Sequence, residues 1–194
     1  MFKNKLIVGI VVLGILGILY YTLSGTPGYN EQTLKTFEEY KEHISTMQDS
    51  PIREKGTFDF FEPDKDWIVE AEFSPTIDNV DFQMDMTDSS KINAVIAGKG
   101  KFTKDGKEIT FYVFDEGQSY LLPFRDLTNG QESYGGGRYI NIPKVNLMDG
   151  KIVIDFNSAR NYYCAYSYDY ICPVPPKENA LPVAVNAGEK NFIK

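Results

Sequence analysis

INAVIAGKGKFTKDGKEITFYVFD, residues 92–115, is two runs of strand-forming residues joined by Asp105-Gly106. That dipeptide suits a type I′ turn, which needs positive φ at both central positions, and the flanking residues alternate with period two. The pattern predicts an antiparallel hairpin. Similar runs lie outward of it at 57–61, 67–73, 79–86, 118–123, 138–143, 151–157 and 182–187, with a second sharp turn at Asp149-Gly150. Strands at this spacing, joined by tight turns with no intervening helices, predict a mainly β domain, an antiparallel β-barrel or sandwich.

One amphipathic helix precedes the strands. Between Glu31 and Gln48 the apolar residues Leu34, Phe37, Tyr40, Ile44 and Met47 recur every three or four positions and draw one stripe. Asp49-Ser50-Pro51 ends it, because proline biases the preceding residue out of the helical region. The stripe is expected to cover one open end or face of the sheet. Further upstream, Leu6 to Leu23 is a run of 18 uncharged residues, about the minimum for a bilayer-spanning helix. Lys3 and Lys5 precede it and Glu31 follows, a bias that sets the N-terminus in the cytoplasm. The expected organisation is a single transmembrane helix over residues 1–23, as a retained anchor or else a cleaved signal peptide. A linker over 24–30 and one extracytoplasmic domain over 31–194 follow, so the expected location is the cell membrane, single-pass.

The chain carries 20 basic and 27 acidic residues. Only Lys3 and Lys5 fall in the apolar N-terminal segment, so the remainder holds 18 against 27, a net charge of −9. Such a field repels phosphate backbones, and no stretch clusters Lys or Arg with aromatics, so no nucleic-acid partner is expected.

The densest chemistry lies in the last third, in PFRDLTNGQESYGGGRYI (123–140) and DFNSARNYYCAYSYDYICPVPPKENALPVAVNAGEK (155–190). Glycines 135–137 allow backbone N–H groups to approach a ligand, with Arg138 placed to pair with an anion; the same residues also suit a bulge or glycine loop entering the next strand. Asp155 and Asn157 share a strand face, as ligand contacts or as an Asx turn closing the strand. Asp126 and Thr128 before Asn129-Gly130 carry the same ambiguity. Cys164 and Cys172 are the only cysteines and, in an exported domain, argue for a disulfide that would stiffen the tyrosine-rich loop between and before them. A metal centre or cysteine nucleophile is poorly supported, since the only histidine is His43, on the flank of the helix. Glu178 paired with Asp126 or Asp155 could supply the two carboxyls of a glycosidase.

PFRDLTNGQESYGGGRYI, DFNSARNYYCAY, CPVPPKEN and NAGEK together resemble the domain of unknown function 1684 family of bacteria and archaea, over roughly residues 37–190. The resemblance marks Asp126, Thr128, Tyr134, Gly135, Gly137, Arg138 and Tyr139 in the first block. In the later blocks it marks Asp155, Asn157, Asn161, Cys164, Cys172, Glu178, Asn179, Gly188 and Glu189. Arg160 and Tyr162 depart from the family pattern, which has Tyr and Pro there. The family carries no assigned activity, so the resemblance implies positions and an exported setting but no reaction. The expected function is binding of a small polar or anionic ligand, or an envelope partner, by Asp126, Tyr134, Gly136, Arg138, Tyr139, Asp155, Asn157 and Glu178, without a cofactor. The alternative is a carboxylate-dependent hydrolase of envelope glycans or esters, and whether the chain is an enzyme stays open.

Overall fold

The computed structural model describes residues 9–16, 28–52 and 56–193. Helix α1 (Tyr29–Thr46) is followed by seven strands: β1 (Ile68–Asp85), β2 (Lys91–Lys104), β3 (Lys107–Asp115), β4 (Ser119–Phe124), β5 (Arg138–Pro143), β6 (Leu147–Met148) and β7 (Lys151–Asp155). They form one antiparallel sheet in the order β5-β4-β3-β2-β1-β7-β6. Both predicted hairpin turns form as the dipeptides demand, with φ of 52° and 73° at Asp105 and Gly106 and of 50° and 74° at Asp149 and Gly150. The runs at 67–73 and 79–86 are two halves of β1, whose register against β2 shifts between Pro75 and Val80.

The sheet is open, so the expectation of a closed barrel is corrected. Closure would require β5 to pair with β6, but β6 has two residues and the free edge of β5 is occupied by a single bridge between Tyr139 and Arg160. Nor, among the described residues, does a second sheet cover the core. Its place is taken by the C-terminal segment: Leu181, Val183, Val185 and Ala187 alternate inward and are buried, yet this extended run forms no ladder. They close a core with Trp67, Phe111, Phe124, Ile152, Ile154 and Phe156. The predicted strand at 57–61 likewise contributes only isolated bridges, Thr57 to Ile193 and Phe60 to Glu189.

Helix α1 buries Phe37 and Ile44, as its stripe requires. Its partner is an aromatic seam rather than the sheet. Phe37 stacks on Phe60 with centroids 4.2 Å apart, and Ile44 packs with Ala165 and Tyr166.

The expected transmembrane helix is also corrected. Among the described residues no helix is long and apolar enough to cross a membrane. Within the Leu6 to Leu23 run the described residues are 9–16, and they are helical. The rest of the run, and residues 24–27 of the expected linker, lie outside the described residues. The membrane as a partner, the single-pass anchor and the cell-membrane location therefore lack support in the structure.

Candidate functional site

The period of β5 determines where its first residue points. Arg138, Ile140 and Ile142 share a face, and all three are buried in the core, Arg138 with no exposed surface at all. Its Nη2 pairs with Asp126 Oδ2 at 2.7 Å and donates to the Val185 carbonyl at 2.8 Å, while Nη1 donates to the carbonyls of Ala187 and Glu189. The arginine therefore supplies donors to an extended segment that has no partner strand, whose buried carbonyls would otherwise be orphaned. Asp126 Oδ1 accepts from the backbone N–H groups of Thr128 and Val185 and from the Thr128 hydroxyl. Burial holds the guanidinium below its ordinary pKa, and Asp126 opposes that shift.

The glycine run ahead of Arg138 is a turn into β5. Gly137 has φ of +98°, and a Cβ there would lie 2.7 Å from the Phe124 carbonyl oxygen, so only glycine fits. Asp155 and Asn157 close β7: the Asp155 carboxylate accepts from the Asn157 backbone and side-chain N–H groups, and Asn157 in turn brackets the backbone of Asp64.

On the other face of β5 lies Tyr139, and there the structure opens. A cleft of about 640 Å³ runs between the C-terminal half of α1, the edge of β5 and the tyrosine-rich loop. Five tyrosines line it, Tyr40, Tyr139, Tyr162, Tyr163 and Tyr170, together with Arg160, His43, Asn141 and Asn161. Cys164 and Cys172 form the predicted disulfide. The far end of the β1–β2 hairpin holds the same loop: Thr87 N–H donates to the Cys172 carbonyl at 2.9 Å, Cys172 N–H to the Thr87 hydroxyl at 3.0 Å, and Val174 N–H to the Asp85 carbonyl at 2.7 Å. Tyr139 anchors the wall by donating to the Pro173 carbonyl, with its ring 3.8 Å from that of Tyr162. Burial raises the Tyr162 hydroxyl to about 12, so it stays protonated and available as a donor.

Arg160 forms the boundary between this cleft and a smaller cavity of about 220 Å³ lined by Tyr29, Phe37, Asp155 and Asn157. Its guanidinium lies about 5 Å from the rings of Phe37, Tyr40 and Phe60, a favourable placement for a cation over π faces. Beneath the cleft, Glu189 is wholly buried. Its carboxylate accepts from Tyr166 at 2.7 and 2.9 Å and from the Asn161 backbone N–H at 2.9 Å. With Tyr166 donating to Glu189, the Tyr40 hydroxyl 2.9 Å away donates to Tyr166, linking the cleft wall to the buried acid. Burial pushes Glu189 up to about 7, against the opposing effects of Asn161, Tyr166 and Arg160.

Of the eight residues expected to bind a ligand, Tyr139 lines the larger cleft, and Asp155 and Asn157 line the smaller one. Asp126 and Arg138 are sealed against each other, Tyr134 and Gly136 are half-buried beside them in sequence, and Glu178 is exposed on a turn; none of these five lines either cavity. Arg160 and Tyr40 were not expected at the site. Tyr40 was readable only as a stripe residue, and Arg160 lies in an irregular segment with no period to orient it.

Comparison with known proteins agrees with the family resemblance. The model of the family described as protein of unknown function (DUF1684) matches residues 56–190. The solution NMR structure of an uncharacterized protein from Haloarcula marismortui is similar, at 34% identity and a TM-score of 0.65, covering 82% of this chain and 93% of that one. No curated protein matches. With its open sheet, covering C-terminal segment and family match over the whole β region, the chain belongs to the DUF1684 family.

Proposed function

We propose that this domain binds a small ligand in the tyrosine-lined cleft. The observation that carries the reading is the coincidence of a concave site of about 640 Å³ with rigid walls. Its size falls within the range of small-molecule sites, about 300–1,000 Å³. Tyrosines provide flat apolar area with a hydroxyl at the edge, at a low entropic cost of ordering. The disulfide and the hairpin contacts fix the loop before a ligand arrives, which favours affinity.

The hydrolase alternative has no observation in its favour. No carboxylate lines the cleft, Asp126 is neutralised by Arg138, and Asp155 and Glu178 do not share a cavity. A fragment screen by amide chemical shifts of the full chain tests the proposal. Ligand-induced shifts should concentrate at residues 40–44, 139–141 and 158–163, and Tyr162→Ala should weaken every hit. Hits that map elsewhere, or that ignore Tyr162→Ala, would refute it.

A further inference from the structure

Arg138 and Arg160 are both largely buried, but their hydrogen bonds differ. Arg138 uses both terminal nitrogens on protein acceptors, including a carboxylate. Arg160 donates only through Nη1, to the carbonyls of Asn157 and Ala159 at 3.1 and 3.0 Å. Among the described residues no carboxylate lies within ion-pair distance of it, and Glu189 and Asp155 act on its charge only from further away. The buried side-chain polar atoms lacking a partner are Arg138 Nε and Asn161 Oδ1. Nε and Nη2 of Arg160 are not sealed in this way, so that edge of the guanidinium is open to the cavities the residue lines.

An arginine edge with two parallel N–H groups matches a carboxylate in bidentate geometry. No Lys and no other Arg lines the cleft, and the chain as a whole carries a net charge of −7. The surrounding field therefore opposes anions, and one local cation balances one negative charge, not two. The aromatic rings that line the cleft suit a planar or cyclic body, and Asn141 offers a hydrogen-bonding edge. Resting on the cleft as a ligand site, we infer that its ligand class is a small organic monocarboxylate, its charged end on the free edge of Arg160 and its ring among Tyr162, Tyr163 and Tyr170.

Calorimetric titration of the full chain with benzoate, benzamide, phenyl phosphate and inorganic phosphate tests this. Benzoate should bind about tenfold or more tightly than benzamide, the range of a charge-assisted hydrogen bond. Arg160→Gln should abolish that preference, weakening benzoate about tenfold or more and benzamide by much less, and Tyr162→Ala should weaken both. Should Arg160→Gln fail to fold, Arg160→Lys, which keeps the charge and stem, should still narrow the benzoate preference severalfold. Equal affinity for benzoate and benzamide, or a preference insensitive to Arg160, overturns the carboxylate assignment while fragment shifts in the cleft leave the binding reading intact. Tighter binding of either phosphate overturns it in favour of a phosphate site. Absence of binding by all four probes also overturns it.

Discussion

Replacing Glu189 with Gln should change how the stability of this protein depends on pH. Glu189 has no exposed surface and, in the folded chain, holds its proton up to about pH 7, against an ordinary value of 4.5. Between those values the folded state binds a proton that the unfolded state has released. Stability attributable to this group is therefore present at low pH and is lost as pH rises, at up to about 1.4 kcal/mol per pH unit. Over the whole titration the loss sums to about 3.4 kcal/mol, and about 2.5 kcal/mol of it falls between pH 5 and 8. A neutral Gln removes the titration altogether. Its amide oxygen at the Oε2 position can still accept from the Asn161 N–H and the Tyr166 hydroxyl, and any cost of the amide N–H groups, up to about 1–3 kcal/mol, is independent of pH. Urea unfolding of both proteins at pH 5, 6, 7 and 8 isolates the effect, since every other group cancels in the difference. The stability difference between variant and wild type should move by about 2–3 kcal/mol in the variant's favour from pH 5 to pH 8. Parallel curves, agreeing within about 0.5 kcal/mol, would show that the buried acid does not titrate there and would refute the reasoning.

Asp126→Asn should destabilise the fold by about 3–5 kcal/mol, because it leaves the charge of a wholly buried Arg138 uncompensated. Equilibrium unfolding measures this, and a loss below about 1 kcal/mol would mean that the pair is hydrated in solution. The Cys164→Ser/Cys172→Ser double variant opens a loop of sequence separation 8, costing up to about 2.6 kcal/mol by chain entropy. Amide exchange in residues 162–172 should accelerate in that variant more than exchange in β3, and a uniform increase would argue against a local role for the disulfide.

Much of the fold was legible because its signals are local. Asp105-Gly106 and Asp149-Gly150 need nothing beyond their own backbone preferences to turn the chain, and the α1 stripe needs only its own period. The barrel expectation failed at a non-local step. Residues 181–187 alternate as a strand does, but alternation reports burial of one face and says nothing about whether a partner strand exists. Here Leu181 and Val183 bond the backbone of Arg125 and Leu127, and beyond them the partner is a side chain, Arg138. The site divides in the same way. The position of Arg138 on the core face could have been read from RYINIP, where Ile140 and Ile142 share its side of β5. Arg160 offered no such handle, although it and Tyr162, the two departures from the family pattern, both stand in the cleft wall. The apolar N-terminal run shows the converse, since hydropathy alone predicts a span, whereas among the described residues no helix is long and apolar enough to cross.

The partition of polar groups explains why one domain can hold two buried arginines without both being structural. An open sheet must cover its inner face, and the C-terminal segment does so at the cost of unpaired carbonyls at Val185, Ala187 and Glu189. Arg138 meets these carbonyls together with Asp126, so both its terminal nitrogens are engaged and its charge is neutralised. Arg160 caps two carbonyls through a single nitrogen and is flanked by rings that accept no strong hydrogen bond, while Glu189 and Asp155 offset its charge only from beyond ion-pair distance. Glu189, beneath the cleft, is committed to Tyr166 and Asn161 and is partly protonated near neutral pH. An anion arriving at Arg160 would add negative charge near Glu189 and favour its protonation, so binding should take up a fraction of a proton and weaken as pH rises above about 7. A carboxylate affinity flat between pH 6 and 8 would separate the two groups and remove Glu189 from any part in recognition.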